Sequence, residues 1–383
     1  MAMVDQHSNS FGSYSSLVTD AYSKQFGSSA TPIHPPEQWT DYSFLAFLGL
    51  AQRLHVDFLP ITWQGSLGLL GRGGQAQVNQ ALINQAMGFA FKRFDHIRPQ
   101  DPLRETVQEM LVLTHPLVRS HEHIVRLEGI CWDIPQDDQV WPALVFEKTQ
   151  FGDLHAFSKS KRFQAMAMGE KLELCADIGL AIRDMHYNGS TLASKLHTVT
   201  YCMIGIIHGD IKPENVLVFE GAVQPLCARV GDFGYSTWFR GANDLILMPK
   251  SVPWCAPEHE GQKFHPLQAK QMDTYSFGML CIWLLFEAGS SGSLPLHPDV
   301  VQGNDQCVTF EKPFPKNNLL DTWKNERSDM LVHWAQWLLL ESTHFGGDMK
   351  DNLTQFFQST LAMDPQERNT DFTELIFLLS PYR

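Results

Sequence analysis

The sequence predicts an α+β fold, with strand-like segments gathered before residue 149 and helical segments after it. Three observations point there. Phe89-Ala-Phe-Lys92 and Leu144-Val-Phe-Glu-Lys148 have strand length and strand composition. From Lys171 to His186, Leu172, Leu174, Cys175, Ile178, Leu180, Ile182 and Met185 recur at helical spacing. Met279 to Phe286 is apolar all round, as a helix buried on every side should be. With 383 residues, 44% of them hydrophobic, the chain can build one two-lobed unit or two modest domains.

Composition narrows the function classes. A formal charge of −13 gives no basic footprint for nucleic acid. The longest apolar run, Met279 to Phe286, is far too short to span a bilayer, so no membrane partner is expected. No basic region followed by an apolar core opens the chain, so no leader is expected either. The seven cysteines are scattered, odd in number and free of C-x-x-C pairs, which suits reduced thiols in the cytosol or nucleus. Nothing suggests an oligomer, and a monomer is expected.

Taken in order, residues 1–36 are rich in Ser and Gly and too poor in large aliphatics to offset their ordering entropy, so they read as a disordered tail. Residues 37–61 read as a helical lead-in, with a short amphipathic helix between Trp39 and Leu54 that offers Phe44, Phe47, Leu48 and Leu54 to one face. Leu59 to Trp63 then leads into the first strand. The glycine-rich stretch Leu70-Gly71-Arg72-Gly73-Gly74-Gln75-Ala76-Gln77-Val78 follows. Glycines let a backbone approach phosphates and offer N–H groups to them, although seen alone this stretch reads better as a plain hairpin. Lys92 ends a strand, and Thr106 to Leu113 continues as a helix containing Glu109. His121 and His123 invite a metal reading, but no further ligand is spaced to complete a site, and they read as turn residues. Residues 190–205 contain one lysine, no acid and no clear period. They are either a surface insertion or an in-frame retained intron.

The chemistry concentrates in His208-Gly-Asp-Ile-Lys-Pro-Glu-Asn-Val-Leu-Val218. Phosphoryl transfer needs a carboxylate to orient an attacking hydroxyl, a cation near the transferred phosphate and oxygen ligands for Mg²⁺. By itself the stretch is also a polar turn before a buried strand. Further on come Gly231-Asp232-Phe233-Gly234 and Ala256-Pro257-Glu258. The ordered set His-x-Asp-x-Lys-x-x-Asn, Asp-Phe-Gly and Ala-Pro-Glu resembles the eukaryotic protein kinase family. That resemblance runs from about residue 62 to the C-terminus and implies a bilobal protein-kinase-like fold. Residues 62–148 would form the small β-rich N-lobe and hinge, and 149–383 the mainly helical C-lobe, with 190–205 as an atypical insertion.

What the resemblance implies can be carried over position by position. Leu70, Gly71, Gly73, Gly74 and Val78 would cover the phosphates of ATP, with Ala76 standing where the family usually has a third glycine. Ala90 and Lys92 match the family's V-A-I-K, so Lys92 would contact the α- and β-phosphates and pair with Glu109, or failing that Glu105. Phe146 would guard the rear of the adenine pocket, the backbone of Glu147 and Thr149 would face the adenine edge, Asp153 would lie near the ribose and Leu217 would floor the pocket. Asp210 would orient the substrate hydroxyl and accept its proton, Lys212 would neutralise the transferring phosphoryl group, and Asn215 and Asp232 would hold Mg²⁺. Ser251 stands where Ser/Thr-directed members carry a threonine touching the catalytic Asp and Lys. Together with Lys212 it implies serine or threonine acceptors in protein substrates. Asp273 to Gly278 resembles the start of the central helix, and Arg368 the arginine that pairs with Glu258. Where many members have arginine before the catalytic Asp, this chain has Gly209. That implies basal activity without phosphorylation of the activation segment, which offers Ser236 and Thr237 as hydroxyls. Two other readings stand beside this one: an interaction protein that keeps the fold without the chemistry, and a small-molecule phosphotransferase of the aminoglycoside or choline kinase type, which also resembles His-Gly-Asp.

Overall fold

The computed structural model describes residues 43–63, 69–72, 76–82, 88–94, 102–136, 139–186, 205–221, 224–239, 241–261, 263–287, 322–326 and 328–380. The tail expected over 1–36 and most of the atypical stretch, 190–204, lie outside the described residues.

Helix α1 spans Phe44–Arg53 and begins where the Ser43 side chain accepts a hydrogen bond from the Ala46 amide. It buries Phe47, Leu50 and Ala51, while Phe44 is partly exposed with its ring against Trp132. The chain then forms β1 (Phe58–Trp63), β2 (Leu69–Arg72), β3 (Ala76–Leu82) and β4 (Gly88–Phe94). Helix α2 (Pro102–Leu113) follows, and β5 (Leu127–Gln136) and β6 (Gln139–Glu147) complete a six-stranded sheet in the order β1-β5-β6-β4-β3-β2. The stretch expected to lead into the first strand is itself an edge strand, β1, which pairs parallel with β5 while the other pairings are antiparallel. One face of the sheet buries Phe91, Cys131, Ala143 and Val145, with Leu59 and Phe89 packed against them. A helical turn, Pro116–Arg119, occupies the connection after α2.

Beyond the sheet the chain is mainly helical. Helix α3 (Met168–His186) buries Leu172, Leu174, Cys175, Ile178, Ile182 and Met185, matching the expected periodicity. Short strands β7 (Gly205–Ile207), β8 (Val216–Glu220), β9 (Leu226–Val230) and β10 (Thr237–Phe239) follow, with β8 paired to β9 and β7 to β10. Gly205, the last residue of the atypical stretch, pairs with Phe239 in this second ladder. Helix α4 (Pro266–Ile282) runs on into a π-turn, Trp283–Glu287, and every residue from Met279 to Leu285 is buried. Helices α5 (Met330–Glu341), α6 (Gly347–Leu361) and α7 (Phe372–Leu379) complete the described chain. Gly278 lets α4 and α6 meet closely, because a Cβ there would lie 2.5 Å from Thr360 Oγ1. Arg368, buried, makes a two-pronged ion pair with Glu258 at 2.6 and 2.9 Å, as its motif implied. Among the described residues no helix is long and apolar enough to cross a membrane.

Candidate active site

The site is assembled from the turn after β7. The backbone amides of His208 and Gly209 each donate to the Asp273 carboxylate at 3.0 Å, and His186 Nε2 lies 2.9 Å from it. Asp273 is fully buried on α4, so this carboxylate anchors the turn from beneath. Gly209 takes a φ of 82°, a left-handed conformation that side chains rarely adopt, and a Cβ there would meet Met248 Sδ at 3.4 Å. The turn thereby presents Asp210. Lys212 Nζ donates to Asp210 Oδ2 at 2.6 Å, and Ser251 Oγ donates to Oδ1. The 3₁₀ turn Pro213–Asn215 folds Asn215 back, so that its amide nitrogen donates to the Asp210 backbone oxygen at 2.8 Å and to Oδ2 at 3.0 Å.

The hairpin of β8 and β9 carries the chain from Asn215 to Asp232. Its two ends are joined where Gly231 N donates to Asn215 O at 2.8 Å, and His208 Nε2 lies 3.0 Å from Gly231 O. Asp232 has a φ of 60°, a conformation tolerated better by aspartate than by most residues. Its Oδ1 accepts from Lys92 Nζ at 2.7 Å, and the same ammonium donates to Glu109 Oε2 at 2.6 Å. The structure thus selects Glu109 as the partner of Lys92, while Glu105 lies beside Gly234. Burial works against the Lys92 charge, but the carboxylates of Asp232 and Glu109 outweigh it and raise its pKa above the ordinary lysine value. Burial likewise pushes the Asp232 carboxyl up, yet Lys92 pulls harder and holds it below the usual range. Glu109 is more deeply enclosed, and there burial prevails over Lys92 and moves it up.

The predicted nucleotide-contacting positions are distributed around this cluster. Gly71 pairs with Val78 across β2 and β3, Val78 pairs in turn with Lys92, and Ala90 pairs with the buried Phe146. Leu70 lies in β2, whereas Gly73 and Gly74 lie outside the described residues. Glu147 ends β6 and its carboxylate accepts from Arg229 at 2.9 Å. The Thr149 hydroxyl donates to Val218 O, and Asp153 bridges to Leu217 through the backbone while one of its oxygens caps the following helical turn. Thr149, Asp153 and Leu217 are therefore brought together. The donor set suits Mg²⁺: Asp232 supplies a carboxylate two-fifths exposed, and Asn215 directs its amide nitrogen at Asp210, which leaves its amide oxygen to face a cation.

Two contributors went unassigned in the sequence. Asp273 holds the turn before Asp210, and an acid inside an otherwise buried helix was the available signal. Gln108 Nε2 donates to Ser236 O and ties α2 to the segment after Asp232; a polar residue beside Glu109 gave no distinguishing sign. Ser236 itself is fully buried and donates its hydroxyl to His208 O at 3.1 Å, which corrects its reading as an available hydroxyl.

A carboxylate poised between a lysine and an amide, beside a Lys–Glu–Asp chain on an inner strand of the sheet, is the arrangement a phosphotransferase needs. Residues 66–377 match the protein kinase domain pattern, and the chain belongs to the protein kinase family with its α+β bilobal fold. It is similar to the putative wall-associated receptor kinase-like 16 of Arabidopsis thaliana, at 24% identity over 75% of this chain and 60% of that protein. Wall-associated receptor kinase 4 of the same plant is 25% identical over 75% of this chain and 35% of its own length. The NT-3 growth factor receptor of Macaca fascicularis is 29% identical over 55% of this chain and 25% of that receptor. The chain thus spans between a quarter and three fifths of these relatives.

Proposed function

We propose that this protein kinase transfers the γ-phosphoryl group of Mg-ATP to serine or threonine hydroxyls of protein substrates. The observation that carries the reading is Asp210, whose two oxygens are fixed by Lys212, Asn215 and Ser251. So held, Asp210 orients an incoming hydroxyl and takes its proton as the bond to phosphorus forms. Lys212 sits beside it to balance negative charge on the transferring group. Lys92, kept charged by Glu109 and Asp232, would meet the α- and β-phosphates. Mg²⁺, when bound, neutralises phosphate charge, and Asp232 and Asn215 would hold it.

Serine or threonine specificity is supported by Ser251, whose hydroxyl donates to Asp210, and by Lys212, whose ammonium pairs with the same carboxylate. A peptide array incubated with the full chain and radiolabelled Mg-ATP, followed by phosphoamino acid analysis, tests this. Label on phosphoserine or phosphothreonine is expected; label confined to phosphotyrosine would overturn the specificity.

A further inference from the structure

We propose a second metal site behind the active site, in which His123, Asp177 and Cys227 bind a divalent transition-metal ion of the Zn²⁺ class. In the sequence His123 lacked neighbouring ligands and read as a turn residue. The fold corrects this by bringing Asp177 from α3 and Cys227 from β9 to the same imidazole nitrogen. The three candidate ligand atoms lie within 4.8 Å of one another.

The His123–Asp177 separation is long for a direct charge-assisted hydrogen bond, while the His123–Cys227 separation suits either a thiol hydrogen bond or a shared ion. His123 Nδ1 stands 3.4 Å from Asp177 Oδ1 and 3.6 Å from Cys227 Sγ. A charge-assisted N–H···O bond would be shorter, about 2.7–2.9 Å. One ring nitrogen also cannot serve an oxygen and a sulfur equally, since it has one proton or one lone pair. Tetrahedral coordination with ordinary zinc bond lengths places nitrogen about 3.4 Å from oxygen and about 3.5 Å from sulfur. Both observed separations match.

The chemistry agrees with the geometry. Thiolate, imidazole and carboxylate form a mixed set that suits Zn²⁺ and does not suit the all-oxygen preference of Mg²⁺ or Ca²⁺. Binding converts the Cys227 thiol to a thiolate and releases one proton, and the two anionic ligands then balance the divalent charge. The surroundings orient the set. Asp177 uses its other oxygen to accept from Ala228 N at 2.9 Å. The Cys227 sulfur lies 3.7 Å from Ala228 O. Asp177 and Cys227 are buried, whereas His123 is partly exposed, which leaves a path for the ion. The site would staple three distant parts of the chain. Two of them already meet beside it, because Val230 N donates to His123 O at 2.9 Å just before Asp232.

Co²⁺ is the probe, because a cobalt–thiolate bond gives a near-ultraviolet charge-transfer band and tetrahedral cobalt gives intense visible bands. The full chain is stripped with chelator and titrated with Co²⁺, then with Zn²⁺. The expected result is one equivalent of cobalt with both features, displaced by Zn²⁺. Cys227→Ser should abolish the charge-transfer band, and Asp177→Asn should weaken binding at least about tenfold, the loss typical even for an outer partner of a metal ligand. Cys255→Ser should keep the band. His123→Asn, altered at a partly exposed loop position, must also lose it and covers the case in which the buried variants fold poorly. A wild-type protein without the band, or a band that survives both Cys227→Ser and His123→Asn, would overturn the site.

Discussion

Asp273→Asn separates anchoring of the catalytic turn from the chemistry itself. In the native protein Oδ2 receives His186 Nε2 and His208 N, and Oδ1 receives Gly209 N, all within the buried interior. Asparagine matches the shape but has a single acceptor oxygen. If that oxygen keeps His186 and His208, the new amide N–H₂ faces the Gly209 N–H, donor against donor. Leaving one buried donor unmet costs about 1–3 kcal/mol, and the two remaining bonds weaken as they lose a charged acceptor. The total is about 2–4 kcal/mol, against a typical domain stability of about 5–15 kcal/mol, so the variant should fold with a clearly lowered urea midpoint. Gly209 immediately precedes Asp210, and a small displacement of a reacting group can cost about a hundredfold in rate. The expected kcat loss is therefore roughly ten- to a hundredfold at saturating Mg-ATP and peptide. Circular dichroism in urea and steady-state kinetics measure both quantities. A variant with the native midpoint and native kcat would refute the anchoring argument.

Two further outcomes follow from particular contacts. The segment after Asp232 is held by Gln108 and by the buried Ser236 hydroxyl, and Gly209 places no cation beside Asp210, so phosphatase-treated enzyme should keep its activity; a collapse that returns on rephosphorylation of residues 235–255 would contradict this. His115 packs against Trp238 at 4.6 Å, and burial lowers its pKa to about 4. Since the folded value lies below the ordinary 6.5, the unfolded chain binds the extra proton between them. The His115 contribution is present above pH 6.5 and is lost as pH falls through 4, on the order of 1–2 kcal/mol once solvent screening is allowed for. His115→Phe should flatten urea stability across that window, and an unchanged profile would rule His115 out as its source.

Much of the site was legible in the sequence because its parts are local. Asp210, Lys212 and Asn215 fall within six residues, and one 3₁₀ turn brings them together. Lys92 could be matched to Glu109 because the kinase resemblance placed its partner on the following helix, where Glu109 and Glu105 were the candidates. Individual helices followed from periods and run lengths, which α3 and α4 reproduce, while the bilobal fold was what the kinase resemblance implied. What stayed hidden depends on distance along the chain. Asp273 meets His208 and Gly209 from more than sixty positions away, and no local pattern marks a carboxylate as an acceptor for backbone amides. His123 meets Cys227 across 104 positions, so ligand spacing in the sequence could not show the pair. Strand β1 was missed as a sheet member because a parallel partner, β5, has no hairpin turn to announce it.

The most direct test of the central claim compares Asp210→Asn with Asp232→Asn in kinetics and nucleotide binding. In the proposed function Asp210 acts on the hydroxyl during transfer, so its loss should lower kcat by about 100- to 10,000-fold with little change in Mg-ATP affinity. Asp232, paired with Lys92 and proposed to hold Mg²⁺, should instead lose Mg-dependent nucleotide binding itself when changed. Near-native turnover in Asp210→Asn would contradict the account.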